Sequence, residues 1–135
     1  MLEMNEQFGK TIFTYGRAQA IADGVLIDVT KMAKEAGFTF PVAVTESVWN
    51  DFIDWMDADT RQQTIQNTDG RLWDVLSMLR FAIARASDTD CLFYKLLVIS
   101  RDGKAKKAKL TQLKAVIDGG DNGEPVITIM LPSED

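Results

Sequence analysis

Carboxylate, lysine, tyrosine and hydroxyl side chains are the groups in this sequence that could take part in chemistry, because its 135 residues include no histidine. Without an imidazole there is no Ser-His-Asp or Cys-His arrangement and no zinc site of mixed cysteine and histidine ligands. Asp54, Asp57 and Asp59 lie close together, but they fall on the expected solvent face of a helix, where a carboxylate is simply solvated. We therefore expect no catalytic residues and a protein that is not an enzyme.

Residues 118–124, DGGDNGE, hold the densest group of oxygen ligands. Such oxygens suit calcium, but the spacing matches no EF-hand loop, and Asn-Gly is typical of a tight turn. We expect a turn here and no metal. Gly16 and Gly24 do not follow a strand and open a helix, as a dinucleotide-binding motif requires, and there is no Walker A sequence. No cofactor is expected.

A basic segment stands out against the net charge of −5, which argues against nucleic-acid binding by the whole surface. Residues 101–114 carry six basic side chains and one acid. Lysines clustered at a hairpin could contact phosphates without reading sequence, although lysines on an edge strand also prevent aggregation. Both interpretations stay open for Lys104, Lys106, Lys107 and Lys109.

A second candidate pair lies in the segment YGRAQAIADGVLIDVT, residues 15–30. Asp28 interrupts an apolar run, and a buried acid there would need a partner, for which Arg17 is nearest in sequence. The pair is either a structural ion pair or, with Tyr15, the site of an unrecognised enzyme.

The first part of the chain predicts short helices and strands with clear end signals. Thr14 can cap a helix that ends at Gly24, and residues 25–29 read as a brief buried strand. Thr30 can cap a second helix that ends at Gly37 in the same way. Residues 38–44 read as extended, with Pro41 indicating an edge or irregular strand.

Two longer helices follow. Residues 45–56 form an apolar arc at helical spacing that includes Trp49 and Trp55. Residues 69–87 form the longest helix, which has a core stripe and also carries apolar residues such as Trp73 on its other side. Such a helix is either central to the fold or part of an interface. The three tryptophans are therefore candidate binding residues.

The last third predicts an antiparallel meander with strands at residues 91–100, 105–117 and 126–131, the first two joined by a tight Asp-Gly hairpin. The expected fold class is α+β, a helical N-terminal two-thirds packed on this three-stranded antiparallel C-terminal meander. We expect one globular domain over residues 1–135, with loose ends at about 1–8 and 132–135. The single cysteine, Cys91, predicts a buried structural thiol and a cytoplasmic protein. No signal peptide or membrane-spanning run is expected.

The segment RAQAIADGVLIDVT together with EAGFTFPVAVTESVW resembles a family of small uncharacterised proteins, a domain of unknown function found in bacteria, plasmids and phages. The resemblance covers about a quarter of the chain and implies an accessory protein of a bacterium or mobile genetic element. It supplies no mechanism.

Three functional hypotheses follow. The leading one is a non-enzymatic accessory protein that binds a host or element-encoded protein, with inhibition of a host defence complex as its specific form. The second is a nucleic-acid-associated factor that uses the basic segment. The third is an enzyme with a site near Arg17 and Asp28.

Overall fold

The computed structural model describes residues 15–86 and 89–135 of the chain. Its helices are α1 (Arg17–Ala22), α2 (Thr30–Glu35), α3 (Glu46–Val48), α4 (Asp57–Gln62) and α5 (Thr68–Arg85), and a π-helical turn (Trp49–Ile53) continues α3. Its strands are β1 (Leu26–Asp28), β2 (Val42–Thr45), β3 (Cys91–Val98), β4 (Lys109–Gly119) and β5 (Pro125–Met130).

All five strands form one mixed sheet in the order β1-β2-β5-β4-β3. β2 and β5 run parallel, whereas the other neighbouring pairs are antiparallel. The α+β class is thus right, but a helical two-thirds packed on a three-stranded antiparallel meander is wrong. The three C-terminal strands exist, and two short strands from the N-terminal half complete their sheet.

β2 is an internal strand, not the edge or irregular strand that Pro41 suggested. Val42, Ala43 and Val44 are completely buried between β1 and β5. Pro41 lies just before the strand, where it needs no amide hydrogen, and its carbonyl oxygen accepts from the Ile127 amide at 2.9 Å. The proline therefore leaves the strand ladder intact.

The expected three-turn helix over residues 45–56 is interrupted. Its start is as expected, because the Thr45 hydroxyl accepts from the Val48 amide at 3.3 Å. After Val48 the chain widens into the π-helical turn, in which the Asp54 amide donates to the Trp49 carbonyl oxygen at 2.8 Å. The helix ends there, so residues 54–56 do not lie on the helical wheel that the sequence suggested.

The prediction of a long helix is confirmed by α5, and only one side of this helix packs against the core. Asn67 caps it, accepting from the Gly70 amide at 2.7 Å, so the expected cap Asp69 lies within the first turn. The core stripe is buried at Leu72, Val75, Leu76 and Leu79. Trp73, Met78 and Phe81 are exposed, so α5 is not central to the fold.

Two glycines end helices in the left-handed region, as predicted. Gly24 has φ +78° after α1, and Gly37 has φ +100° after α2. The expected cap Thr14 lies outside the described residues. Thr30 does not cap α2 with its side chain but begins it, and the Asp28 carboxylate accepts from the Thr30 amide at 3.0 Å. Asp28 therefore organises the junction of β1 and α2.

The prediction of a tight hairpin between β3 and β4 is wrong. β3 ends at Val98 and β4 begins at Lys109, so residues 99–108 form a loop whose ends meet at the Val98–Lys109 pair. The Asp-Gly pair lies within this loop, where Gly103 has φ +80°. We call residues 99–108 the basic loop.

Candidate functional site

Side chains alternate between two faces of the sheet, because successive residues of a strand point to opposite sides. One face packs against α5 and carries core side chains such as Val44, Leu96 and Ile129. We call the opposite face the outer face. On β3 and β4 it carries Cys91, Phe93, Lys95, Leu97, Leu110, Gln112, Lys114 and Val116.

Three large apolar residues on the outer face are exposed. Leu97 lies directly opposite Leu110 in the β3–β4 ladder, and Phe93 lies four residues before Leu97 on the same strand face. Their exposed fractions are 64%, 65% and 50% respectively. Neighbouring exposed apolar side chains on one face are typical of an interaction surface. We call Phe93, Leu97 and Leu110 the outer patch.

Cys91 lies on the outer face at the start of β3 and is exposed. The expectation of a buried structural thiol is therefore wrong. Its main chain is held by the Thr89 hydroxyl, which donates to the Cys91 carbonyl oxygen at 3.0 Å and accepts from the Cys91 amide at 3.3 Å.

The basic loop is held in place by hydrogen bonds to Gln63, a buried side chain that is 5% exposed. Its amide nitrogen donates to the carbonyl oxygens of Ser100 at 2.9 Å and Ala105 at 2.6 Å. Its carbonyl oxygen accepts from the Gly103 amide at 3.1 Å. Three hydrogen bonds from one side chain thus define the path of the loop.

Three carboxylates add to this arrangement. Arg101 donates to Asp59 at 2.8 Å and to Asp54 at 3.1 Å. The Met56 amide, followed by Arg101, lowers the pKa of Asp59. Asp102 accepts from the main-chain amides of Ala105 and Lys104, which lower its pKa. These acids shape the loop.

The candidate lysines lie together on this ordered segment. Lys104, Lys106 and Lys107 are exposed on the basic loop, and Lys109 is exposed at the start of β4. The structure therefore groups all four, although on a longer loop than the sequence suggested.

Arg71 of α5 lies behind the basic loop and is 3% exposed. It donates to the carbonyl oxygens of Ile53 at 3.0 Å and Ile99 at 2.8 Å, and to the side chain of Gln66 at 2.7 Å. Its guanidinium lies 4.5 Å from the ring centroid of Trp55. Burial, with nearby Arg101, lowers the pKa of Arg71 to about 10. Arg71 ties the residues around the π-helical turn to the start of the loop.

The three candidate tryptophans do not share a surface. Trp49 is half-buried against the core. Trp55 is buried, and its indole nitrogen donates to the Thr60 hydroxyl at 3.1 Å. Trp73 is 44% exposed on α5. Only Trp73 is freely presented by the part of the chain that the structure describes, and its helix also exposes Phe81.

A groove of about 710 Å³ lies between α1 and the outer face, and Arg17 lines it. The Arg17 guanidinium donates to the Thr128 hydroxyl at 2.7 Å and to the Ile127 carbonyl oxygen at 2.8 Å. Burial lowers its pKa, and the charge of Asp28 partly opposes that effect. Asp121 accepts from the main-chain amide of Arg17 at 2.7 Å and so fixes the start of α1.

Arg17 and Asp28 do not form the ion pair that their positions suggested; within the described residues, ion pairs form only at Arg101. Asp28 lies outside the groove lining and accepts from the amide and hydroxyl of Thr30. Tyr15 donates to Asp23, which raises the pKa of Tyr15. Each member of this group therefore has a separate structural contact.

Sequence reasoning missed the outer patch, Gln63 and Arg71. Phe93 and Leu97 alternate along β3, but the intervening residues are also mostly apolar, so the pattern does not reveal the exposed face. Gln63 and Arg71 bind main-chain carbonyl groups far away in sequence, a contact that has no local signature.

Within residues 15–86 and 89–135, no three or more acidic, cysteine or histidine side chains group together as metal ligands. Nor does any helix there combine the length and apolarity needed to cross a bilayer. The fold and the outer patch define an α+β protein whose mixed sheet packs against α5 on one face and exposes apolar side chains at the β3–β4 side of the other.

The chain belongs to the family of unknown function DUF6573, whose family model matches residues 4–135. The prediction of a domain of unknown function is thereby confirmed. No curated protein and no solved structure matches the chain.

Proposed function

We propose that this chain is an accessory protein that acts by binding another protein through the outer patch. The observation that carries the proposal is the exposure of Phe93, Leu97 and Leu110, 50–65% each, on one sheet face, with Leu97 directly opposite Leu110 and Phe93 four residues before Leu97. Removing such side chains from water stabilises a complex by about 25 cal/mol for each Å² of apolar area. Exposing these side chains to water is unfavourable in the free protein, and a partner that covers them removes that free-energy cost.

The surroundings of the patch favour a polypeptide partner. The fastened basic loop lies at the Val98 end of β3, beside Leu97 and Leu110, so charged groups border an apolar centre. An apolar centre with a polar rim is the usual anatomy of a protein interface. The partner we propose is a host or element-encoded protein, with inhibition of a host defence complex as the specific form of this proposal.

Capture from a bacterial lysate with tagged full-length protein tests the proposal. Wild-type protein should retain one defined partner, and Leu110→Asp should reduce its recovery at least about tenfold, because burying an unpaired charge opposes binding. Phe81→Asp is the matched control: Phe81 is 63% exposed, close to the 65% of Leu110, but lies on α5. Recovery of chaperones alone, or equal loss with both variants, would contradict the proposal.

A second candidate function rests on the basic loop. Three exposed lysines on a loop whose main chain is fixed, with a fourth at the start of β4, could contact phosphates with little ordering cost. Binding to an RNA or DNA duplex should then weaken steeply with salt, and charge reversal at Lys104, Lys106 and Lys107 should abolish it. Unchanged affinity after reversal excludes this function.

A further inference from the structure

β3 forms one edge of the sheet. The Ile117 amide donates to the Asp90 carbonyl oxygen at 2.8 Å, which identifies Asp90–Ile117 as a hydrogen-bonded pair of the antiparallel ladder. Every second residue from Asp90 therefore bonds to β4, and the alternate residues turn their main-chain groups away from the sheet. Those residues are Cys91, Phe93, Lys95 and Leu97.

The outward groups of Cys91 already bond to the Thr89 hydroxyl. Among the residues that the structure describes, none bonds to the outward main-chain groups of Phe93, Lys95 or Leu97. Such an edge is a template for another strand.

We infer that two copies of this chain pair through β3, antiparallel, about a two-fold axis at Lys95. In this register Phe93 of each copy lies opposite Leu97 of the other, and Lys95 lies opposite its own copy. All three free residues then pair, with two hydrogen bonds per pair, and the occupied groups of Cys91 are not needed.

Side chains support this register. The two Phe93–Leu97 pairs lie on the outer face, where apolar cross-strand pairs stabilise a sheet. They join the outer patches of the two copies across the axis. The joined sheet buries part of an apolar surface that each copy exposes alone.

Charge complementarity favours a second copy over a foreign strand. The antiparallel arrangement places the basic loop of each copy beside the start of the partner copy's β3. Asp90 lies at that start, and Asp118 lies at the adjoining end of β4, two residues beyond the Cys91–Val116 pair. Each end of the interface thus joins lysines to carboxylates.

Lys95 opposes association, because like charges directly opposite each other destabilise a strand pair. Salt screens this repulsion and also the attraction between lysines and carboxylates at the two ends, so substitution of Lys95 is what isolates the repulsion. A two-fold interface also closes on itself and consumes the β3 edge, so it does not lead to fibres. The dimer needs no foreign protein and stands independently of the proposed function.

Disulfide trapping of the full-length chain tests the register in a Cys91→Ser background. Lys95→Cys should form a disulfide-linked dimer under mild oxidation, since Cα atoms of a hydrogen-bonded pair lie about 5.5 Å apart, within disulfide reach. Gln112→Cys is the matched control, exposed and directly opposite Lys95 on β4. It should not cross-link, because each copy places it one strand, about 4.8 Å, further from the axis. Equal cross-linking of both variants, or none at position 95, would overturn the inference.

Sedimentation of wild-type protein and Lys95→Thr gives a second readout that involves no cysteine. Wild-type mass should rise from 15.1 kDa towards twice that value as concentration increases. Lys95→Thr should dimerise more tightly than wild type, most clearly at low salt, where the repulsion that it removes is least screened. Wild-type protein that stays monomeric at millimolar concentration at both low and high salt contradicts the dimer.

Discussion

Replacing Arg71 by alanine should destabilise the protein far more than removing any exposed arginine. Arg71 is 3% exposed and donates to two buried carbonyl oxygens, those of Ile53 and Ile99. Arg71→Ala leaves both acceptors without this donor. A buried acceptor left unsatisfied costs about 1–3 kcal/mol, so the pair costs about 2–6 kcal/mol.

Two further effects change this sum. Losing the contact with the Trp55 ring costs about 1 kcal/mol. In the opposite direction, the variant no longer has to remove the Arg71 guanidinium from water. The lowering of its pKa to about 10 shows that cost. Because buried charges in proteins behave as if the effective dielectric constant were about 20, we discount the relief to about 1–2 kcal/mol. The expected net loss is about 3 kcal/mol.

Urea unfolding at pH 7 measures this loss. Arg71→Ala should lower the midpoint with an unchanged m-value, whereas Arg85→Ala, exposed in the last turn of the same helix, should stay within about 0.5 kcal/mol of wild type. Arg71→Lys keeps the charge but not the fork of donors, so it should be intermediate. If Arg71→Ala were as stable as wild type, the reasoning would be refuted. It would also be refuted if Arg71→Lys were as stable as wild type, because the charge alone would then account for the stabilisation.

Three other perturbations test the packing around the site. Gly37→Ala and Gly24→Ala should each cost about 1–2 kcal/mol in thermal unfolding, because both residues have positive φ. A Cβ at Gly37 would lie 2.9 Å from the end of the exposed Arg80 side chain, which can move aside, so the two losses should be similar. A much larger loss at Gly37 would contradict this. The folded pKa of Asp59 is lowered, so its contribution is present above pH 3.8 and is lost as pH falls through the folded value. Asp59→Asn should therefore lower stability at pH 7, and its urea midpoint should fall less than that of wild type as the pH is lowered from 7 to 2. A dependence of the midpoint on pH identical to that of wild type would contradict this. Gln63→Ala should speed hydrogen exchange at the Gly103 amide without affecting β4, and equal exchange rates would show that the loop does not depend on Gln63.

The parts of the fold that could be predicted have local signals. Gly24 and Gly37 end helices because a left-handed residue after a helix favours glycine, and both signals lie beside the helices they end. The core stripe of α5 and the three C-terminal strands follow from periodicity in the same way.

The parallel β2–β5 pair could not be predicted from such signals. Val42 pairs with Ile127, far along the chain, and a strand of four residues carries too little pattern to specify its partner. The mixed sheet depends on this pair, so the architecture was wrong although most strands were located. The π-helical turn was missed because a helical wheel at 100° per residue assumes that each amide bonds to the carbonyl four residues earlier. The Asp54 amide instead bonds to the Trp49 carbonyl, five residues earlier.

The candidate site divides in the same way. The cluster at Lys104, Lys106 and Lys107 is contiguous in sequence and could be found there. The outer patch needs the register that places Leu97 opposite Leu110, and the support of the basic loop needs contacts of Gln63 to residues about 40 positions away.

The dimer and the proposed partner both use the outer patch, so dimerisation either assists partner binding or competes with it. Substitution of Lys95 can distinguish these two cases. If the partner binds the patch joined across the two-fold axis, Lys95→Thr should strengthen capture, because a tighter dimer presents two linked surfaces. If the partner instead covers Phe93 and Leu97 of a single copy, self-association competes with it and the same substitution should weaken capture. Titrating partner recovery against protein concentration for wild type and Lys95→Thr distinguishes the two. Recovery that is identical for both proteins at every concentration would show that the partner contacts neither arrangement of β3, which would place its binding surface elsewhere on the fold.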